Sequence, residues 1–254
     1  NRTDVLYEID GNPEGRPGGL AYELKKAYEA KYSNGFFATK RGEIIPADKD
    51  KQYCIELSYL GKNLTAWYMQ RPNLSYGETK IFDKYFNTLF KNDYLPEDAY
   101  ALSFWMRKIM DAWTQENPLG LEEELLTMKA YAPYHLLFAI SMVFAKCNNQ
   151  TNVPSPSECL KVASENNLVD SIINIAANCL NSAISAEKNN CEQNNKSFIP
   201  QNWVKNKSCN AGIMSAIQNY FSFLPTMNKE MDSKLKNGVK IDSKYFSYRV
   251  QAED

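Results

Sequence analysis

Length, composition and charge limit the classes of protein to which this chain could belong. The chain has 254 residues, of which 44% are apolar and 23% charged, and these fractions are ordinary for a globular protein. Its formal net charge of −1 differs from the basic surface of a dedicated nucleic-acid binder. The length allows a sizeable core in one large domain or two small ones.

Six cysteines and several Asn-x-Ser/Thr triplets indicate whether the protein is secreted or intracellular. No Cys-x-x-Cys pair occurs, so we expect neither a zinc site nor a thioredoxin-type motif. The triplets begin at Asn1, Asn63, Asn73, Asn149, Asn195 and Asn206. Together with the even cysteine count they favour a secreted glycoprotein with up to three disulfides. The alternative is an intracellular protein with free buried thiols. We expect no signal peptide and no transmembrane run in this sequence.

The first third of the chain shows patterns typical of strands. Residues 4–10 alternate apolar and polar side chains, and residues 44–46 suit a short edge strand. Residues 52–58 and 64–69 flank Gly61-Lys62-Asn63, which predicts a β-hairpin. One amphipathic helix is predicted between these strands, over residues 20–32.

The remainder predicts helices around one very apolar stretch. Residues 134–145 are apolar on nearly every face, which is typical of a helix buried in the core, and the stretch is shorter than the roughly 20 residues that span a bilayer. Further helices are predicted over residues 83–90, 99–115, 121–130, 158–186 (one or two helices) and 212–224. The asparagine- and lysine-rich residues 187–210 indicate a surface loop that a disulfide could pin, and residues 239–241 and 245–250 suit terminal strands.

The predicted fold class is therefore α+β, with a strand-rich N-terminal third followed by a mainly helical remainder around a buried central helix. We assign residues 1–186 to an α+β core domain. Residues 187–254 form a C-terminal segment, rich in loops with some helix and strand, that packs on the same domain.

The order of elements resembles that of a known toxin family. The pieces that carry the resemblance are residues 4–11, 20–32, 52–76, 95–115, Asn117-Pro118-Leu119-Gly120-Leu121, 136–144 and, further on, 162–168. In this order they resemble the ribosome-inactivating proteins, the ricin A-chain-like RNA N-glycosidases, over roughly the first 175 residues. The resemblance implies a toxin-like protein that acts on ribosomal or transfer RNA and blocks translation.

The resemblance also implies site residues. Two tyrosines of that family stack on the target adenine, and the matching positions are Tyr76 and Tyr100. A Glu and an Arg on the central helix would stabilise the ribose cation and protonate the base. Those positions fall near Ala145 and Asn148, which cannot do this, and a shifted register that starts at Glu165 puts a leucine where the Arg should be.

An unrelated RNA-cleaving site is a further hypothesis. His135 is the only histidine, and it could act as a general acid or base together with Glu8 or Asp10, while Arg71 holds a phosphate. Cys54 with His135 as its base is a weaker alternative, since a buried strand cysteine or a disulfide partner explains that residue better.

No cofactor or metal site is predicted. Residues 122–124 are three glutamates in a first helical turn, where they complement the helix dipole without metal-ligand spacing. Residues 11–19 lack the Gly-Lys-Ser/Thr ending of a phosphate-binding loop.

Three functions remain open: an RNA-directed hydrolase (N-glycosidase or ribonuclease), a catalytically inactive secreted or surface protein that binds a protein partner, and an unrelated enzyme centred on His135.

Overall fold

The computed structural model describes residues 20–39, 42–73, 96–114 and 116–247. Within these ranges helices dominate. In chain order they are α1 (Leu20–Lys31), α2 (Leu57–Trp67), α3 (Pro96–Ala112), α4 (Glu123–Thr127), α5 (Ala132–Cys147), α6 (Pro156–Glu165), α7 (Val169–Gln193), α8 (Pro200–Trp203), α9 (Lys207–Met227) and α10 (Lys229–Gly238). The predicted strand over residues 4–10 and the predicted helix over residues 83–90 lie outside the described residues.

The predicted central helix is confirmed as α5. Its side chains are buried on every face from Ala132 to Ser141, and Val143 and Phe144 continue the buried set. A helix this apolar must be covered on all sides, and α2, α3, α7 and α9 pack around it. The core of the protein is therefore a helical cluster with α5 at its centre.

The predicted hairpin over residues 52–69 is wrong. Residues 64–67 continue α2 instead of forming a second strand, and Gly61-Lys62-Asn63 lies within the helix. Leu57, Leu60, Leu64 and Trp67 recur at helical spacing and are all buried. This stripe joins the two supposed strands into one helical face, so burial of the stripe overrides the turn signal of the glycine.

The predicted α+β class and its strand-rich N-terminal third are also wrong for the described residues. Strands β1 (Phe36–Ala38) and β2 (Cys54–Glu56) pair in parallel, with Phe36 opposite Cys54. A second two-stranded sheet pairs β3 (Val153–Pro154) with β4 (Phe246–Ser247). Residues 44–46, predicted as an edge strand, have no regular structure, and Ile44 is 87% exposed.

The C-terminal part is more helical than predicted. Helix α7 runs through residue 186, the predicted boundary between core and C-terminal segment, and ends at Gln193. The predicted surface loop over residues 187–210 is therefore wrong over most of its length. Helix α9 confirms the helix predicted over residues 212–224, and it packs on both α7 and α5.

The cysteines carry no cross-links in this structure. All six are free thiols, and Cys159, Cys179 and Cys209 are buried. The expected disulfides are therefore absent from it. Of the Asn-x-Ser/Thr triplets, the one at Asn63 lies buried in α2, whereas Asn149, Asn195 and Asn206 are exposed.

None of the helices in the described ranges combines the length and apolar character needed to cross a membrane.

Candidate functional site

The predicted site residues do not share one location. Glu8 and Tyr76 lie outside the described residues, so their roles stay predictions. Tyr100, on α3, stacks against Tyr53 with ring centroids 5.1 Å apart, and its ring is tilted against that of Tyr32 at 5.2 Å. Burial, followed by the neighbouring Tyr53, raises the pKa of the Tyr100 hydroxyl. Tyr100 thus belongs to a cluster of four tyrosines, which Tyr28 joins through Tyr32 at 4.8 Å, and the neighbouring rings cover part of its surface.

His135 is enclosed in the core. Its side chain is 0% exposed, and its Nδ1 donates to the carbonyl of Tyr131 at 3.0 Å. The ring stacks on Trp203 with centroids 6.5 Å apart. Burial lowers the pKa of His135 to about 4, against a weaker opposing effect of backbone hydrogen bonding. His135 is therefore neutral at physiological pH and closed to solvent.

Arg71 lies just beyond the end of α2, where its backbone N–H donates to Thr65 O at 3.2 Å. It is half-buried. Its predicted contact with a phosphate stays a prediction.

The two central-helix positions that the resemblance singles out are structural. Ala145 is fully buried. Asn148 caps the C-terminus of α5, and its side-chain amide bonds to the backbone of Val239 and Ile241. Neither position is among the residues that line the cleft between α2, α3 and the β1–β2 pair.

A different set of residues forms a cleft of about 620 Å³. Its walls are α2, α3, the β1–β2 pair, residues 43–45 and residues 129–134. This volume falls in the range of small-molecule sites, roughly 300–1,000 Å³. Its apolar lining consists of Ala38, Ile45, Ile55, Met106, Met110, Ala130 and Pro133.

Charged side chains of both signs line the same cleft. They are three acids and three bases: Glu43, Glu56, Asp111, Lys62, Arg107 and Lys129. The Lys62 ammonium lies 5.3 Å from the Tyr59 ring centroid and 5.8 Å from that of Tyr134. Such cation–π contacts hold the charge in place at the wall of the cleft.

Arg107 is oriented by two contacts. Its Nη1 donates to Ser103 Oγ at 2.7 Å, and its guanidinium carbon lies 5.9 Å from the Tyr100 ring centroid. A guanidinium has five N–H donors, so this fixed side chain keeps donors for an anionic group. Tyr100 therefore contributes to the cleft indirectly, by supporting Arg107.

Two of the acidic side chains are also held in place by hydrogen bonds from residues close in sequence. Glu43 Oε2 accepts from the backbone N–H of Thr39 at 2.9 Å, and Glu56 Oε1 accepts from the Ser58 hydroxyl. A carboxylate has further lone pairs beyond one such bond. The acids are thus positioned before any ligand arrives.

Among the described residues of the lining, Asn63 is the deeply buried amide. Its residue surface is 3% exposed, and its Oδ1 has no hydrogen-bond partner in the described part of the chain.

Among the described residues that line the cleft, nucleophilic chemistry would fall to a single thiol. This is Cys54, but burial raises the pKa of the Cys54 thiol, and Sγ donates to the Asp50 carbonyl at 3.2 Å. His135, the base proposed for it, is not among the lining residues. Across the described ranges, no three His, Cys, Asp or Glu side chains come together in a group that could hold a metal ion.

Sequence reasoning missed Lys62, Asn63 and Arg107. Gly61-Lys62-Asn63 resembles a hairpin turn, and the spacing that predicts the helix around Arg107 concerns its apolar residues alone. The signal that could have found them is the leucine stripe of α2, which places Lys62 and Asn63 on a continuous helix.

No family model matches the chain, and neither a curated protein nor a solved structure is significantly similar to it.

Proposed function

We propose that this protein is a binding protein for a small zwitterion with an apolar side chain, such as an apolar amino acid or a short peptide. The observation that carries the proposal is the cleft of about 620 Å³ whose lining combines three acids and three bases with apolar side chains. A polyanion such as RNA would meet as many repulsive as attractive charges there. A ligand with one charge of each sign meets a partner for both.

The two ends of such a ligand have matching groups. Arg107, fixed by Ser103 and Tyr100, suits a carboxylate, because a guanidinium binds carboxylates through two parallel N–H donors. Glu56 suits an ammonium group. The apolar lining between them would cover the ligand side chain, and burial of that surface supplies binding free energy.

Binding, rather than catalysis, is what the chemistry of the lining supports. Cys54 is held as a thiol and the only histidine lies elsewhere in the core. This agrees with one of the functions left open by the sequence, an inactive binding protein, although the partner proposed here is a small molecule. An RNA-directed activity remains a prediction from the resemblance alone.

Calorimetric titration of the purified chain tests the proposal. L-leucine is the probe, isocaproate is the same molecule without its ammonium group, and isoamylamine is the same molecule without its carboxylate. We expect leucine to bind at least about tenfold more tightly than either analogue, because each lacks a charge-assisted hydrogen bond. Binding of adenosine monophosphate in preference to leucine, or no binding of leucine at millimolar concentration, would contradict the proposal.

A matched pair of variants locates the site. Arg107→Gln removes the carboxylate partner and should weaken leucine binding about tenfold or more. Lys108→Gln makes the same change of charge one residue further on, at an exposed side chain that pairs with Asp170 at 3.9 Å. Equal losses in both variants would show that overall charge, rather than the cleft, determines binding.

A further inference from the structure

Helices α7 and α9 pack against each other and carry no charge over most of their length. Residues 171–186 of α7 and 208–227 of α9 contain no Asp, Glu, Lys or Arg, although 23% of the chain is charged. At the charged fraction of about 25% that is typical of globular domains, these two stretches would hold about nine charged side chains. Depletion of charge is the compositional signal of the core of a protein–protein interface.

The outer side of these two stretches, called here the α7–α9 face, is open to solvent and partly apolar. Every fourth residue of α7 from Asn174 to Ala186 is exposed. On α9 the side chains of Phe223 and Met227 are 61% and 64% exposed. Large apolar side chains on an uncharged surface favour contact with another molecule over contact with water.

Polar side chains on the face already donate to carbonyls of their own helix. These hydrogen bonds run from Ser182 to Asn178 O at 2.9 Å, from Ser222 to Gln218 O at 2.8 Å and from Thr226 to Phe223 O at 2.8 Å. A hydroxyl that has used its donor in this way leaves water at little cost. The face can therefore be buried without leaving these donors unpaired.

A groove of about 400 Å³ lies between the two helices on this face. Small residues form most of its lining: Ser182, Ala183, Ala186, Gly212, Ser215 and Ala216. Phe223 lines the groove as well, yet most of its surface is in solvent. An apolar cavity of about 150 Å³ already holds benzene, so the groove has room for a phenyl ring. The face thus combines an exposed ring with a recess that fits one.

We propose that the α7–α9 face is the contact surface of a dimer, in which a second copy of this chain packs on it across a two-fold axis. A two-fold contact joins the same patch on both copies, so Phe223 of each copy enters the groove of the other. Neither copy then buries a charge, whereas a partner with a charged surface would lose water from charges that find no counter-charge here. An anionic membrane is a poorer occupant, because the helices that lie on it carry Lys and Arg.

The size of the face suits a weak dimer. At about 1.5 Å per residue, the two stretches are about 24 Å and 30 Å long, and each helix is about 10 Å wide. The projected area is therefore roughly 500 Å² per copy, or about 1,000 Å² in the dimer. Specific interfaces begin at about this size, so we expect a Kd of about 10 μM.

Sedimentation of the purified chain at concentrations from about 1 to 200 μM tests the proposal. We expect the average mass to rise from that of one chain toward that of two and to stop there, because a two-fold contact closes. A chain that stays monomeric at about 200 μM overturns the proposal and assigns the face to a different partner. A mass that continues to rise beyond the dimer also overturns it.

Two variants and their controls locate the contact. Phe223→Ala removes both exposed rings from the dimer and should weaken association at least about tenfold. Its control is Ile44→Ala, which removes an 87% exposed apolar side chain beside the ligand cleft. Ser215→Glu places a carboxylate in each groove and should abolish association, because it desolvates two charges of the same sign. Its control is Ser164→Glu, at an exposed serine of α6. Both controls should dimerise as the wild type does.

The variants also show whether a loss of association comes from the contact itself. All four changes are at exposed side chains, so the Tm at about 1 μM, where the chain is monomeric, should stay within about 2 °C of the wild type. If neither Phe223→Ala nor Ser215→Glu weakens the dimer more than its control does, the dimer uses another surface and the proposal is overturned. If Ser215→Glu does not fold, Phe223→Ala decides alone. None of these measurements involves leucine, so their outcome is independent of the binding function proposed above.

Discussion

The side-chain amide of Asn148 pairs with the backbone around Ile241 as a strand would. Asn148 Oδ1 accepts from Ile241 N at 2.9 Å, and Asn148 Nδ2 donates to Val239 O at 2.8 Å. The same Nδ2 also donates to Phe144 O at 2.9 Å, within α5. One side chain thus ties the end of the central helix to the segment that follows α10.

Replacing Asn148 by alanine should therefore lower the free energy of unfolding by about 2–3 kcal/mol, since the variant leaves half-buried backbone groups without their partners. Urea denaturation of the purified protein measures this. The control is Asn194→Ala, at the same position of the α7 C-terminus, where the side chain donates only to Asn190 within its own helix. That exposed site should lose less than about 1 kcal/mol. Equal losses at both sites would mean that the contact across to Ile241 contributes nothing.

Asp98 joins three helices through one buried carboxylate. Its Oδ2 accepts from the Tyr68 hydroxyl at 3.0 Å, and its Oδ1 accepts from Ser155 Oγ at 3.0 Å and from Ser157 N at 3.1 Å. Ser155 is the N-cap of α6, so the negative charge also lies at a helix N-terminus, where it is favourable.

We expect Asp98→Asn to reduce the free energy of unfolding by about 3 kcal/mol, because an amide nitrogen would face donors that need an acceptor. The neighbouring change Glu97→Gln breaks an ion pair with Lys31 at partly exposed side chains and should cost less than about 1 kcal/mol. Chemical denaturation of both variants at one pH gives the comparison. A stability of Asp98→Asn within error of Glu97→Gln would contradict the interpretation of Asp98 as a buried anchor.

His135 should make the protein less stable in acid. Its pKa falls from 6.5 to about 4 in the folded protein because burial disfavours the charged ring. The unfolded chain therefore binds a proton between these two values that the folded protein does not. Stability rises with pH through this window, is fully present above about pH 6.5, and is lost as the pH falls toward 4, by about 3 kcal/mol in total.

The variant His135→Leu removes this titration, and the chain has no other histidine that could replace it. The difference in unfolding free energy between wild type and variant should thus change by about 3 kcal/mol between pH 7 and pH 4. Parallel pH profiles for the two proteins would show that His135 does not titrate in this range.

The sequence correctly predicted those helices in which apolar residues recur without interruption. The stretch that became α5 is apolar on every face, and α3 and α9 repeat apolar residues at helical spacing, so local pattern and tertiary packing agree for them. In α2 they conflict, because Gly61 inside the leucine stripe signals a turn. There the burial of Leu60, Leu64 and Trp67 determines the structure, and burial cannot be known before the rest of the fold.

Asparagine pairs also form different structures in different surroundings, which the sequence alone does not reveal. Asn148-Asn149, Asn166-Asn167 and Asn194-Asn195 each end a helix, with the second residue at a positive φ of 52° to 55°. The backbone closes with the hydrogen bonds typical of this C-terminal motif, such as Gln150 N to Ala145 O at 2.9 Å. Yet Asn189-Asn190, the same dipeptide, lies inside α7. Asparagine content alone therefore wrongly predicted a loop over residues 187–210.

The cleft could not be predicted from the sequence either, because it forms only when separate segments pack together. Its lining comes from segments around residues 38–45, 54–63, 103–111 and 129–134, which only the packing of α2 and α3 brings together. Each segment taken alone shows an ordinary mixture of apolar and charged residues. The orphaned Oδ1 of Asn63 has no sequence signal at all, because an unpaired atom is defined by its surroundings.

Two glycines should respond in opposite ways to alanine. A Cβ at Gly212, inside α9, would meet only Ala183 Cβ at 3.9 Å, an ordinary contact. Gly212→Ala should raise the free energy of unfolding by about 0.5–1 kcal/mol, because alanine loses less backbone entropy in a helix.

A Cβ at Gly35, just before β1, would lie 2.6 Å from the carbonyl oxygen of Tyr53 and 3.0 Å from Tyr53 Cβ. Gly35→Ala must therefore push β1 away from the segment that leads into β2, at a cost of about 1–3 kcal/mol. Thermal and urea denaturation of the two variants side by side test this contrast. Because β1 and β2 form one wall of the cleft, Gly35→Ala should also weaken leucine binding, whereas Gly212→Ala should leave it unchanged. If Gly35→Ala is as stable as the wild type, the close approach of these two segments is not as the structure places it.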